Sequence, residues 1–200
     1  MGSGAITIVL IFLLLFVSFQ TIYAANKDLA RAEAWGDLVR RALPFLALLV
    51  MVLTLFVIQT YQQGWLLLTW MAVSGVAIVS ASLLAIPSLE RRANKAFRKG
   101  DYGRAAQLYG ELAEEKPLAR NSAFLGAALG ASERYEEAVD ASTKAIEQDP
   151  KYGLAYYNRA LVLHRMGKKS RAIKDLKKAQ EADLPRRFRN ATRKMLEEIS

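Results

Sequence analysis

The side chains that usually perform catalysis are scarce in this 200-residue sequence, which contains one histidine, His164, and no cysteine. The lack of cysteine excludes thiol catalysis, disulfides and thiolate metal sites. One histidine is too few for a Ser/His/Asp triad, and no nucleotide-binding, zinc-protease or nucleophile-elbow motif is present. The neighbouring carboxylates Glu136 and Glu137 have the placement of ordinary exposed helix charges. The residues therefore predict no catalytic site, no metal site and no cofactor, and they favour binding over catalysis.

An internal repeat organises residues 88–184. Ala105, Ala138 and Ala172 are 33 and 34 residues apart, and Pro117 and Pro150 are 33 apart. A period near 34 residues is typical of stacked helix–turn–helix units. Small residues at equivalent positions let the two helices of a unit approach closely: Ala93, Gly126 and Ala160 in the first helices, and Ala105, Ala138 and Ala172 in the second. One unit is too small to bury its apolar face, so the units must stack.

Glycine and proline punctuate this repeat. Gly100 and Gly167 fall at the turn inside a unit, and prolines follow the second helices. The chain resembles the tetratricopeptide repeat family over residues 88–184, most specifically in the string from Ala93 to Tyr102. The second unit departs from the family pattern at Glu133, where glycine is expected. The resemblance implies an all-α solenoid of three units that binds other proteins.

In repeats that resemble these, the ligand lies against the first helices of successive units. Helical spacing assigns the following residues to that protein-binding groove: Asn94, Phe97, Arg98, Ala123, Ala127, Ala131, Tyr157, Asn158, Leu161, His164 and Arg165. We expect His164 to line the groove rather than to act as a pH switch.

A subclass of such repeats grips a partner's C-terminal carboxylate with basic and amide side chains. Asn94 fits one of the amide positions of that clamp. Glu90, Phe124, Leu154 and Asn158 stand where the clamp would place Lys, Asn, Lys and Arg. The sequence therefore disfavours the binding of chaperone tails.

The N-terminal part of the chain is far more apolar. Residues 5–23, 42–60 and 65–87 contain no Asp, Glu, Lys, Arg or His, and each approaches or exceeds the roughly 20 residues that span a bilayer. These segments predict three transmembrane helices, the last two joined as a tight hairpin through Tyr61 to Gly64. A cleaved signal peptide over residues 1–24 is the alternative, but no Lys or Arg precedes the apolar run.

Basic residues indicate the orientation of the spans. Lys27, Arg31, Arg40 and Arg41 lie between the first two spans, the hairpin loop has no charge, and a second basic cluster begins at Arg91. By the positive-inside rule the repeats are cytoplasmic and the N-terminus lies outside. We expect an integral protein of a bacterial inner membrane or a thylakoid-like membrane.

The segment 25–41 alternates charged and apolar residues. Leu29, Ala32, Trp35 and Val39 recur at helical steps, which favours an interfacial helix with Trp35 at headgroup depth. A plain polar connector is the alternative, because Gly36 weakens a helix.

The spans contain no ionisable group of the kind that transport requires. A face of small residues in the third span permits close helix contact, either with the protein's own spans or with a partner's membrane helix: Gly75, Ala77, Ala81 and Ala85.

Net charge is concentrated at the C-terminal end. Residues 151–200 contain 14 Lys or Arg and 5 Asp or Glu. The main members of this basic surface are Lys168, Lys169, Lys174, Lys177, Lys178, Arg186, Arg187 and Arg189. Three interpretations remain open: a solvated face, contact with anionic lipids, or an acidic protein partner. Nucleic acid is a poor fit, because no recognition motif accompanies the charge.

Residues 185–200 form the predicted capping helix, with Phe188, Thr192, Met195, Leu196 and Ile199 along one side. The sequence thus predicts an all-α protein with a membrane domain over residues 1–87, three tetratricopeptide units and a cap. We expect a non-enzymatic scaffold that mediates protein–protein interaction and supports the assembly or stabilisation of a membrane protein complex. The alternative is a permanent accessory subunit of a large membrane complex of photosynthetic, respiratory or secretion type.

Overall fold

A computed structural model describes residues 3–58 and 64–199. This described part contains eleven α-helices and no β-strand, which confirms the all-α class. The chain divides into two compact units, Met1–Pro87 and Ser88–Ser200.

Four helices make up the first unit. They are α1 (Ser3–Ala25), α2 (Lys27–Arg31), α3 (Trp35–Ile58) and α4 (Gly64–Ala85). Two stretches, Trp35–Leu55 and Gly64–Ala85, are long and apolar enough to cross a bilayer. Helix α1 has 23 residues, and its described phenylalanines, such as Phe12 and Phe19, are exposed. The predicted loop from Tyr61 to Gly64 lies outside the described residues except for Gly64.

Helix α3 begins seven residues earlier than the predicted span 42–60, at Trp35. Asp37, Arg40 and Arg41 lie in its first two turns, because charged side chains end an apolar run without ending a helix. The interfacial helix predicted across residues 25–41 is corrected to two separate helices. The helical conformation is interrupted at Glu33, whose φ of 54° lies in the left-handed region that a continuous α-helix does not use.

Helices α3 and α4 pack against each other. The indole Nε1 of Trp70 donates a hydrogen bond of 3.0 Å to Thr54 Oγ1, which joins the two helices. Ala77 and Ala81 lie beside Thr54 and Trp70 along an apolar furrow between α3 and α4. Gly75 is exposed, and a Cβ built on it would meet nothing within 4 Å, so it makes no close helix contact within this unit.

Seven helices form the second unit. They are α5 (Ser88–Arg98), α6 (Tyr102–Glu115), α7 (Ala119–Ala131), α8 (Tyr135–Gln148), α9 (Gly153–Arg165), α10 (Lys169–Glu181) and α11 (Arg186–Ile199). Helices α5 to α10 pack as three successive pairs, and each pair contacts the next through α6 with α7 and α8 with α9.

Small residues set the distance between the helices of each pair. Ala93, Ala105, Ala138, Ala160 and Ala172 all have 0% of their surface exposed. A Cβ on Gly126 would stand 2.3 Å from Ser142 Oγ and 3.1 Å from the Ala138 carbonyl oxygen. The predicted role of these positions in close helix packing is therefore confirmed.

The turn inside each pair uses the left-handed backbone region. Gly100 and Gly167 have φ values of 80° and 76°, and Glu133 takes the same conformation with φ of 63°. The second unit thus keeps the turn geometry of the other two without the glycine that favours it.

Helix α11 packs against α10. Thr192 is fully buried, and Met195, Leu196 and Ile199 contact the apolar cluster of Ala160, Leu163, Ala172 and Leu176. The helix therefore covers the apolar end of the third pair.

Candidate functional site

A concave cavity of about 480 Å³ runs across the first helices of the three pairs. Helices α5, α7 and α9 contribute most of its wall, while α6 contributes Tyr109 and α11 contributes Arg187 and Phe188. We call this surface the groove. Its lining residues are Asn94, Phe97, Tyr109, Phe124, Ala127, Gly130, Ala131, Leu154, Tyr157, Asn158, Leu161, Val162, Arg165, Arg187 and Phe188. A cavity of this size suits a few side chains of a bound segment.

Aromatic rings form much of the groove wall. The rings of Tyr109 and Phe124 lie 5.6 Å apart between centroids, and those of Tyr157 and Phe188 lie 5.2 Å apart. Ring pairs at these distances attract each other beyond simple area burial. The paired rings give the groove large apolar contact surfaces that pack against each other.

Tyr109 is tied into the wall by its hydroxyl, which donates a hydrogen bond of 2.8 Å to Asn94 Oδ1. Burial and, to a smaller extent, the nearby Glu90 carboxylate together raise the pKa of Tyr109 to about 12, because both disfavour a phenolate. Burial also raises the pKa of Tyr157. Both groove tyrosines are therefore neutral at physiological pH.

The middle of the groove is lined by small residues. Ala127, Gly130 and Ala131 follow one another along α7. A Cβ on Gly130 would come within 2.7 Å of Val162 Cγ2, so glycine lets α7 and α9 approach each other here. Small side chains leave open the space that a bound segment needs.

Four polar side chains complete the lining. Asn158 Nδ2 donates to the Ala123 carbonyl oxygen at 2.9 Å, and Arg165 Nη1 donates to the Gly130 carbonyl oxygen at 3.1 Å. The Arg187 guanidinium lies 4.8 Å from the ring centroid of Phe188. Together with Asn94 these groups offer hydrogen-bond donors, and the described lining contains no carboxylate.

The structure brings together eight of the eleven residues that the sequence assigned to the groove. They are Asn94, Phe97, Ala127, Ala131, Tyr157, Asn158, Leu161 and Arg165. Arg98 is exposed and does not line the cavity.

Ala123 and His164 also lie outside the groove lining. Ala123 is fully buried and packs with Ala145 and Ala155, so its assignment to the groove is corrected. The expectation that His164 lines the groove is corrected as well, because it is absent from the lining and its Nδ1 is buried without a partner in the described part of the chain.

Sequence reasoning missed several lining residues. Phe124 directly follows Ala123 in the sequence. The face of α7 that lines the groove contains Phe124, Ala127 and Ala131. One residue along a helix corresponds to a rotation of about 100°, which moved Ala123 from the groove into the core. The sequence assigned Phe188 to the apolar side of the capping helix and Arg187 to the basic surface, but it did not assign either residue to the groove, because the packing direction of a terminal helix cannot be derived from the repeat period.

Two of the positions that a carboxylate clamp would use hold apolar side chains facing the groove. Phe124 and Leu154 are part of its wall, beside Asn158. Glu90 is buried with 6% of its surface exposed. The residues needed to grip a terminal carboxylate at those positions are therefore replaced by residues that prefer apolar contact.

The basic surface lies on α10, α11 and the turn before α10. Its eight predicted members are all exposed. Lys178 Nζ pairs with Glu181 Oε2 at 2.8 Å, and the hydrogen bond to Glu181 raises the pKa of Lys178. Arg189 Nε donates to the Leu184 carbonyl oxygen. Most of this charge faces solvent, so it is available to an anionic surface.

No group of three or more His, Asp or Glu that could hold a metal ion occurs among residues 3–58 and 64–199 as far as they are described. The groove itself contains aromatic, small and cationic side chains. This lining is suited to contact with a polypeptide and offers no nucleophile activated by a neighbouring base.

Comparison with known proteins agrees with the helix-pair architecture. A family model described as TPR repeat matches residues 126–167, and a model described as tetratricopeptide repeat matches residues 154–184. The tetratricopeptide repeats predicted from the sequence are confirmed. Repeats of this class mediate protein–protein interaction.

Curated relatives match a little over half of the chain. The chain is 32% identical over 119 residues to the TPR repeat-containing thioredoxin TTL4 of Arabidopsis thaliana, covering 58% of the chain and 17% of that protein. It is 29% identical over 109 residues to the mitochondrial import receptor subunit TOM70 of Rattus norvegicus, covering 52% of the chain and 18% of that protein. The chain thus spans less than a fifth of the length of these relatives.

Two solved structures share the helix-pair fold over 56% of this chain. The TPR2B domain of yeast Sti1, solved in a complex with pHsp70, is 23% identical with a TM-score of 0.52, over 56% of this chain and 92% of that one. The Yersinia enterocolitica type III secretion translocator chaperone SycD is 25% identical with a TM-score of 0.51, over 56% of this chain and 80% of that one.

Proposed function

We propose that this chain is a non-enzymatic scaffold, anchored in a membrane, that holds a segment of a partner protein in the groove and supports assembly of a membrane complex. The observation that carries this proposal is the groove itself. The groove is open and lined by aromatic rings. Its middle is lined by small side chains, where Ala127 and Ala131 leave room for a ligand.

Anchoring is supported by the exposed apolar surface of the first unit. Trp65, Leu68 and Val76 on α4 have 62%, 69% and 68% of their surface exposed. An apolar surface of this extent is costly in water and suits a lipid environment. We propose α1 as a third span, and the distribution of Lys and Arg then favours a cytoplasmic position for the repeats.

Binding of an internal or apolar partner segment fits this groove better than binding of a terminal carboxylate. Phe124 and Leu154 replace the polar side chains that a clamp requires. The similarity to proteins named as an import receptor subunit and as a secretion chaperone supports a role in handling other polypeptides. The name of one relative includes a thioredoxin, but the present sequence contains no cysteine, the residue on which thiol redox chemistry depends.

A permanent accessory subunit is the second candidate function. The furrow between α3 and α4 favours it, because Ala47, Ala77 and Ala81 give this furrow small side chains on an exposed apolar face. Such faces permit close contact with a partner's membrane helix. In this role the repeats would brace the cytoplasmic face of the complex.

A mild-detergent purification of the full-length chain distinguishes the two roles. An assembly scaffold should retain incomplete complexes at well below one copy per copy of itself. A permanent subunit should retain a fixed set of membrane proteins near one to one. Quantitative mass spectrometry of the retained proteins measures the ratio.

Ala127→Arg tests whether the groove is the contact surface. The arginine side chain would fill the middle of the groove, so retention of the partner should fall by about tenfold or more. Ala191→Arg is the matched control, because Ala191 is exposed on α11 and lies outside the groove lining. Both variants should keep wild-type helix content. Equal retention by both variants would count against the groove.

A further inference from the structure

We infer that the partner segment is acidic and apolar, with a short apolar stretch between two carboxylates that meet Arg187 and Arg165. This inference rests on the proposed function and specifies the chemistry of the segment in the groove. It differs from a terminal carboxylate clamp in its residues and in its position along the groove.

Both arginines are available to a ligand. The Arg165 guanidinium uses Nη1 for its bond to the Gly130 carbonyl oxygen, and its Nε and Nη2 have no partner among the described residues. Arg187 is held against the Phe188 ring. Within the described residues neither guanidinium forms an ion pair with a carboxylate. A guanidinium with unused donors is well suited to bind a carboxylate through two parallel hydrogen bonds.

The two cations are separated along the groove. Arg187 lines the groove near the Tyr157 end of α9, because its guanidinium lies 4.8 Å from the Phe188 ring and that ring lies 5.2 Å from the Tyr157 ring. Arg165 follows Tyr157 by eight residues on the same helix α9, which corresponds to about 12 Å at 1.5 Å per residue. An extended peptide covers about 12 Å in three to four residues. Two carboxylates about four positions apart would therefore reach both arginines.

The lining between the arginines is apolar. Leu161 lies one turn from both Tyr157 and Arg165, and Phe124, Ala127 and Val162 also line the cavity. Apolar side chains of the bound segment can be buried there, while a cationic segment would meet two like charges and no described carboxylate. Charge complementarity thus selects acidic segments and rejects basic ones.

Fluorescence anisotropy with labelled peptides tests the inference on the full-length chain in neutral detergent micelles. The probe peptide has the sequence Gly-Asp-Leu-Phe-Leu-Asp-Gly, and the matched peptides replace both Asp by Asn or by Lys. We expect the Asp peptide to bind about tenfold more tightly than the Asn peptide, since it alone forms charge-assisted bonds. The advantage should shrink as salt is raised from 50 to about 500 mM, because both arginines are solvent-accessible.

Variants then assign the effect to the two arginines. Arg165→Gln and Arg187→Gln should each reduce the affinity for the Asp peptide by about threefold to tenfold and leave the Asn peptide unchanged. Arg165→Lys should restore part of the loss, which separates the role of the charge from a structural role of the bond to Gly130. Arg193→Gln is the matched control, because Arg193 is exposed on the same helix as Arg187 and outside the groove.

The outcomes distinguish this inference from the proposed function. Equal binding of the Asp and Asn peptides, tightest binding of the Lys peptide, or no effect of both Arg→Gln variants would overturn the acidic partner. If Ala127→Arg also abolishes partner retention in that case, the groove remains the contact surface. If the Asp peptide binds Ala127→Arg as tightly as wild type, the charges act outside the groove and the inference is wrong.

Discussion

Arg159 connects three helices of the repeat array. Its replacement should show how strongly the stability of the third helix pair depends on one buried ion pair. Its Nε and Nη2 donate to the two carboxylate oxygens of Asp175 on α10 at 2.6 and 2.8 Å. Its Nη1 donates to Thr143 Oγ1 on α8 at 2.9 Å. The bidentate bond to Asp175 raises the pKa of Arg159. The perturbation is a double-mutant cycle of Arg159→Met, Asp175→Leu and both together.

Burial determines the expected magnitude. The side chains of Arg159 and Asp175 are 18% and 7% exposed, so either charge left alone would be largely removed from water. Breaking a fully buried pair costs 3–5 kcal/mol. With the partial exposure of Arg159, we expect each single substitution to lower the free energy of unfolding by about 2–3 kcal/mol. The double substitution should cost about 1–2 kcal/mol, since no unpaired charge remains.

Urea unfolding of the full-length chain in mild detergent, followed by circular dichroism, measures these free energies. All three tryptophans, Trp35, Trp65 and Trp70, lie in the first unit, so their emission reports separately on the membrane helices. A coupling energy of at least about 2 kcal/mol is expected between the two sites, because the two single losses together exceed the double loss by that amount. If the two single losses add up to the double loss to within about 0.5 kcal/mol, the two sites are independent and the predicted coupling is wrong.

Two further predictions concern the repeats. Glu133→Gly should raise the free energy of unfolding by about 0.5–1 kcal/mol, because Glu133 has a φ of 63° that glycine adopts without steric cost; an unchanged or lower urea midpoint would contradict this. The free energy of unfolding should also fall as pH rises from 10.0 towards about 12, since the pKa of Tyr109 is raised to about 12 in the folded chain. The stabilisation is complete below the pKa of Tyr109 in the unfolded chain. It is lost as pH rises through the pKa of Tyr109 in the folded chain, by at most about 2.7 kcal/mol. Tyr109→Phe should weaken this pH dependence, and an identical slope in wild type and variant would refute the assignment.

The repeat helices were predictable because their signals are local. The turns at Gly100 and Gly167 depend on residues within one or two helices, and the spacing of Ala105, Ala138 and Ala172 repeats a pattern that each helix pair contains by itself. The same signals could not locate the start of α3, because Asp37 and Arg41 interrupt the apolar pattern but continue the helix. The pattern of apolar residues indicates which part of a helix is in an apolar environment. The hydrogen-bonded backbone of α3 extends beyond that part.

The groove was predictable only in part, since its position depends on helix rotation and on packing over long sequence distances. Shifting the α7 face by one residue exchanged Ala123 for Phe124. Tyr109 comes from a second helix, which the rule for first helices omits. Arg187 joins the groove through the contact of Phe188 with Tyr157, which links residues 31 positions apart in the sequence.

The participation of α11 in the groove restricts how this protein can evolve. Repeat arrays commonly lengthen by duplication of a unit, and a terminal helix that only covers the end would simply move outward with the new end. Here a further pair inserted after α10 would carry Arg187 and Phe188 away from Tyr157 and remove one side of the groove. Gain of a repeat would therefore mean loss of the present ligand, so that the number of units and the choice of partner are inherited together.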